Sequence, residues 1–258
     1  TRDVIEGRVS LGGSESACLG LASALSRLGH DVHIFAADLH LDDDDPSEYN
    51  GVQWHAAEML YATLAFAPPD VFVSLRIPHV FLRRIDAKLN LLWGQDLMLD
   101  VQSVSGALPQ LDAIVYVSEF HRQQWLSVDQ DLLGKMPSYV TRNGIDPQTI
   151  DGDPVERLPH QFVHLSRPER GLSPLLTMWP EIRKRIPDAE LHLCRYSSMY
   201  DPTGWGKVCE QYDQFAERVG VEVGGVVQHG ELNKVALYRL LHQSALMLYP
   251  GVHDFGET

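Results

Sequence analysis

The chain has 258 residues, 44% of them hydrophobic and 22% charged, with 35 acidic side chains against 21 Lys and Arg and a net charge of −14. That is a globular composition for one or two domains, and it excludes collagen-like, low-complexity and wholly disordered chains. An acidic chain repels phosphate backbones and anionic membrane surfaces, so nucleic acid is not an expected partner.

Gly12 and Gly13 precede a helix expected over 14–28, with Ala17, Leu21, Ala24, Leu25 and Leu28 at helical spacing, Ser14 as its cap and Gly29 as its stop. A strand at 31–36 follows, then the run Asp42–Asp45 beside Pro46, which reads as a solvated acidic loop rather than a cation site. A helical pattern covers 55–66, and short β-branched runs predict strands at 71–75, 89–93 and 113–117, then a helix at 119–126 and a strand at 139–141. Residues 146–160, with Pro147, Gly152, Pro154 and Pro159, carry no periodicity and read as a linker. Beyond it strands are expected at 162–166, 190–194, 226–229 and 245–249, with helices at 172–186, 206–219 and 231–243, the first of them split by Pro180. This alternation predicts an α/β protein built as two doubly wound, Rossmann-like parallel-sheet domains, 1–150 and 151–258.

Cys18, Cys194 and Cys209 are odd in number and widely spaced, with no CxxC or Cys/His cluster. Neither a disulfide framework nor a structural zinc site is expected, and a reducing cytoplasm is the expected location. No apolar run of ~18 residues exists to span a membrane. The chain opens at Thr1 without Met and stops at Thr258 shortly after a strand-like run, so both ends read as cut.

In open α/β sheets, ligands bind beyond the carboxyl ends of the strands. The loops expected there contain Gly12-Gly13, Gly94-Gln95-Asp96, Ser118-Glu119, Arg142-Asn143-Gly144, Arg167-Pro168-Glu169-Arg170-Gly171 and the stretch from Pro250 to Glu257. A Gly-Gly pair before a helix suits an anion held by backbone N–H groups, or a plain tight turn. Arg167 and Arg170, in one loop ahead of a helix in an acidic chain, suit a diphosphate, because guanidinium is a forked, permanently charged donor. Glu257 offers a carboxylate that accepts bonds from sugar or ribose hydroxyls, or acts as a base. No GxGxxG, P-loop or HExxH pattern is present, no metal ligand set is expected, and His121, His164, His192, His229 and His242 read as core or surface residues.

Taken in order, these segments resemble the GT-B-fold glycosyltransferases of family 4. Leu11-Gly12-Gly13-Ser14-Glu15, then Gly29-His30-Asp31-Val32, is similar to the family's opening loop, helix and strand. Val117-Ser118-Glu119-Phe120, Asn143-Gly144-Ile145-Asp146, Arg170-Gly171-Leu172 with Leu175-Leu176, and Phe255-Gly256-Glu257-Thr258 resemble later motifs, the last being the start of a paired-glutamate E-x7-E. An alternative register of that motif puts His253 in the acid's place.

The resemblance implies two domains facing a cleft and transfer of a sugar from a nucleotide-diphosphate sugar, such as a UDP- or GDP-sugar, with retention and without a metal or other cofactor. The acceptor is a glycan, lipid or protein. It implies that Gly12, Gly13, Arg167 and Arg170 bind the donor diphosphate, that Glu257 binds the donor sugar or ribose and serves catalysis, and that Gln95 and Asp96 act on the acceptor side. Ser118 and Asn143 would line the cleft. The family commonly has a His near Gly94-Gln95-Asp96, where this chain has Gln95. Two other readings fit the same residues: a different GT-B enzyme, such as a sugar-nucleotide epimerase or phosphorylase, and a non-catalytic binding fragment.

Overall fold

The computed structural model describes residues 12–37, 48–83, 85–98, 101–145, 155–194 and 205–251. The acidic run Asp42–Asp45, the C-terminal motif with Glu257, and residues 146–154 of the expected linker lie outside the described residues.

Helix α1 (Gly13–Arg27) starts one residue earlier than its apolar spacing predicts, with Gly12 as N-cap in extended backbone and no side-chain cap. Ser14 does not cap it; its hydroxyl lies inside the first turn and donates to Glu15 Oε2 at 3.1 Å. The buried face is narrower than expected, holding Ala17 and Ala22, while Leu21 and Leu28 are 42% and 76% exposed. The small residues let the helix lie close on the strands beneath it, where Ala17 packs with Trp93 and Val117.

Strand β1 (Val32–Ala36) pairs in parallel with β3 (Val52–Ala56), Val32 opposite Val52 and Ala36 opposite Ala56. β3 takes the first residues of the helix expected over 55–66. Its pattern has period two, Val52 and Trp54 buried and Gln53 exposed, so α2 (Leu60–Phe66) begins only later. A short strand β2 (Glu48–Tyr49) runs antiparallel to β3. The two are joined by Asn50-Gly51, both at positive φ of 53° and 72°, as a two-residue hairpin turn requires.

Strands β4 (Val71–Leu75), β5 (Leu89–Trp93), β6 (Ala113–Tyr116) and β7 (Ser138–Val140) form a second sheet in that order, every pair parallel. Helices α3 (Gln102–Ser105), α4 (Glu119–Val128) and α5 (Gln130–Leu133) connect them. The core of this first unit, Gly12–Ile145, gathers Phe81, Leu92, Ile114, Tyr116, Trp125 and Leu133.

The second unit includes described residues 155–251. Its first strand, β8 (Leu158–His164), takes in the tail of the expected linker, with Pro159 exposed near its start, where a missing N–H costs least. Helix α6 (Leu172–Arg185) runs unbroken through Pro180. Pro180 faces solvent while Leu172, Leu175, Leu176 and Trp179 are buried. Burial of four large side chains offsets the ~3 kcal/mol that an interior proline costs. Strand β9 (Glu190–Cys194), helix α7 (Trp205–Val223), strand β10 (Val226–His229), helix α8 (Lys234–Gln243) and strand β11 (Ser244–Met247) complete the unit. α8 starts at Lys234 because Asn233 caps it, accepting from the Ala236 N–H at 2.9 Å.

The parallel sheet has the order β10-β9-β8-β11. From β8 the chain builds outward through β9 and β10, then returns to place β11 on the other side of β8. The strand order therefore reverses between β8 and β11, and an open α/β sheet offers its ligand crevice at the carboxyl ends of such a pair. Among the described residues no helix is long and apolar enough to cross a membrane.

Candidate functional site

Each unit gathers polar residues at the carboxyl ends of its parallel strands. In the second unit, the loop after β8 carries Arg167 and Arg170 at the reversal between β8 and β11. A tight turn orders it, the Arg170 N–H donating to the Arg167 carbonyl at 2.9 Å and the Leu172 N–H to Pro168 at 3.1 Å. Gly171 ends the loop at φ 107°, and a side chain there would collide with the Pro250 carbonyl beyond β11. Only glycine fits both demands. The 14-residue helix α6 starts directly after Gly171, so its positive end follows the two arginines in the chain. Arg167 Nε bonds Glu169 Oε1 at 2.7 Å, which fixes the head of one of them.

Beneath this loop lies His164, 2% exposed, whose Nδ1 donates to the Leu248 carbonyl at 2.9 Å. That bond sets the tautomer and leaves Nε2 an unprotonated, buried atom with no partner among the described residues. Burial pushes its pKa below the usual imidazole range, only partly countered by the bond to Leu248.

In the first unit, Gln95 and Asn143 meet across loops 48 positions apart. Each amide donates to the other's oxygen at 3.0 Å, a reciprocal pair. Asp96 follows Gln95, and its backbone carbonyl accepts from His121 Nε2 at 2.8 Å and Trp125 Nε1 at 2.9 Å. His121 is buried, and its Nδ1 faces the Val117 N–H at 3.4 Å, so that nitrogen accepts and Nε2 carries the proton. Burial lowers the His121 pKa, against a smaller opposing effect of Asp96. Tyr116, edge-on to both rings, is pushed up to about 12 by burial. Ser118 caps α4, its Oγ accepting from the His121 N–H at 3.0 Å, so its placement serves the helix start first.

Gly13 stands at the start of α1 with no described atom within 4 Å of where a Cβ would lie. Neither a turn nor packing among the described residues requires a glycine there. Sequence reasoning missed Arg76. It follows β4 directly, and its side chain bonds Asp96 Oδ2 at 2.6 Å through Nε, and Ser14 Oγ and Glu15 Oε1, both at 3.2 Å, through Nη1. Its place at a strand's carboxyl end was the available signal.

No family model and no curated protein matches the chain. Its backbone is similar to solved structures. Sucrose-phosphate synthase (tll1590) from Thermosynechococcus elongatus aligns with a TM-score of 0.68 at 13% identity, over 95% of this chain and 72% of that one. Trehalose-6-phosphate from E. coli bound with UDP-2-fluoro glucose gives 0.66 at 12%, over 96% and 77%. A trehalose-6-phosphate synthase described in terms of glycosyltransfer with retention gives 0.59 at 14%, over 77% and 57%. At these identities the likeness establishes the fold: the chain is an α/β protein of the GT-B type with Rossmann-like parallel sheets.

Proposed function

We propose that the chain transfers a glycosyl group from a nucleotide-diphosphate sugar to a hydroxyl-bearing acceptor with retention of configuration. One observation carries this reading: Arg167 and Arg170 occupy the strand-order reversal of the second unit, ahead of the α6 N-terminus. Departure of a nucleoside diphosphate builds negative charge on its phosphate oxygens, and preorganised guanidinium and backbone donors stabilise that charge most where water is excluded. Arg170 and Arg167 neutralise the leaving group in this reading, so the charge needs no resident metal. Gly12 and Gly13 are assigned to the donor diphosphate on their motif alone.

The first unit takes the acceptor, with Gln95 and Asp96 addressing its hydroxyl and Ser118 and Asn143 lining the approach. Glu257 accepts bonds from donor hydroxyls, a role that rests on its motif. The order of the sequence motifs supports a family 4 type of enzyme, and the activities named for the similar solved structures support glycosyl transfer as the general chemistry.

The test is a thermal-shift series on the whole chain with UDP, GDP and ADP at millimolar concentration. Stabilisation grows as RT ln(1 + [L]/Kd), about 2.7 kcal/mol at a hundredfold excess over Kd. A rise in Tm with one of the three is expected, and no rise with any of them rejects the reading.

A further inference from the structure

Arg76 is one of two described non-glycine residues at positive φ, at 66°. The other, Asn50, is accounted for by its hairpin turn. Arginine has no local side-chain bond that favours the left-handed region, so the conformation is imposed by what surrounds it. The backbone N–H of Arg76 donates to the Trp93 carbonyl at 3.0 Å, which fastens the end of β4 to the end of β5. The side chain then reaches Asp96 on one side and Ser14 and Glu15 of the first turn of α1 on the other. One residue thereby ties together three segments at the carboxyl end of the first unit's sheet.

Asp96 is consequently held at two points. Its carbonyl accepts from the His121 and Trp125 rings, and its Oδ2 from Arg76 Nε. Its side chain is nevertheless 62% exposed. A carboxylate that is fixed but exposed is fit to take a proton or a hydrogen bond from a ligand, since its orientation costs nothing further on binding. We propose that Arg76 is a positioning residue that fixes Asp96, so that its second carboxylate oxygen, Oδ1, receives the acceptor hydroxyl. Among the described residues two carboxylates, Glu15 and Asp96, bond this guanidinium, and their remaining oxygens are acceptors that suit a hydroxyl donor. The inference rests on the proposed glycosyl transfer and names the residue that orders its acceptor side.

The experiment compares wild type, R76G, R76K, D96N and the double variant R76G/D96N in the full chain, using UDP-, GDP- and ADP-glucose as donor probes and water as the acceptor. Release of nucleoside diphosphate is the readout. Glycine accepts the left-handed backbone, so R76G removes the side chain without straining the turn. R76K keeps charge and bulk but lacks the fork, and serves as the second variant should R76G fold poorly. Expected are a tenfold or larger fall in kcat for R76G, R76K and D96N, donor KM within twofold of wild type, and no further loss in the double variant, because Arg76 acts through Asp96. Wild-type turnover in both Arg76 variants, or losses that multiply in the double variant, overturns the proposal while leaving the transfer reading intact. Absence of turnover by wild type with all three donors overturns it too, and the nucleoside diphosphate thermal shifts tell whether the wider reading falls with it.

Discussion

Gly94 lacks a side chain because two aromatic rings fill the space one would need. A Cβ there would stand 3.1 Å from both His121 Cε1 and Trp125 Cζ2, and neither ring can retreat easily, since both are hydrogen-bonded to the Asp96 carbonyl two residues on. Gly94→Ala is expected to lower stability by about 1–3 kcal/mol, the usual cost of overpacking, read as a fall in the urea midpoint; an unchanged midpoint would mean the rings move freely. On the second unit, Arg170→Ala should weaken binding of UDP by about 2 kcal/mol, roughly thirtyfold in Kd, the size of a lost charge-assisted bond. Isothermal titration measures it, and an unchanged Kd would take Arg170 out of the diphosphate site. The two substitutions test different demands: Gly94 answers to packing within the first unit, and Arg170 to the proposed ligand of the second.

At the scale of elements, legibility followed local pattern. Val71–Leu75, Leu89–Trp93, Glu190–Cys194 and Val226–His229 have the bounds their short apolar-rich runs predict, although Val71 and Val73 are exposed and Glu190, His192, Gln228 and His229 are polar, since the parallel pairing extends the strand past its buried positions. The Asn50-Gly51 hairpin carried a two-residue turn signal between Tyr49 and Val52, yet the helical spacing of the following residues masked it. Pro180 misled for the opposite reason: the local rule held, but tertiary burial of Trp179 and its neighbours outweighed it. The site shows the same division. Gln95 and Asn143 were readable as strand-end polar residues, and the structure brings them into one amide pair. Arg76 was readable only as a strand-end residue; its role was not, because it depends on a backbone conformation and on partners 20 and 61 positions away, which no local window contains.

Over the whole molecule, the buried histidines set how stability responds to pH. Among the described residues each unit holds one almost fully buried imidazole, His121 at 1% exposure and His164 at 2%, and each has a pKa lowered chiefly by burial. The mechanism of the shift is visible in the bonds. Protonating His121 Nδ1 would break its acceptance from the Val117 N–H, and protonating His164 Nε2 would place a charge on a buried atom with no partner among the described residues. His55 and His229 are also lowered, first by burial and then by the imidazoles of His33 and His192, which lie 2.9 and 2.8 Å from them. The unfolded chain, with imidazoles titrating near ~6.5, therefore binds protons that the folded chain refuses. This stabilisation is complete above ~6.5 and is lost as pH falls below it, at a slope of at most ~1.4 kcal/mol per pH unit for each proton. The chain's excess of 35 acidic over 21 basic residues relaxes only near pH ~4, where carboxylates titrate, so the interval from ~7.5 to ~5.5 isolates the histidines. Urea unfolding followed by tryptophan fluorescence across that interval should show the midpoint falling toward acid, with no comparable change between ~8.5 and ~7.5. A midpoint that stays level or rises on acidification would mean that His121 and His164 find proton-accepting partners when charged.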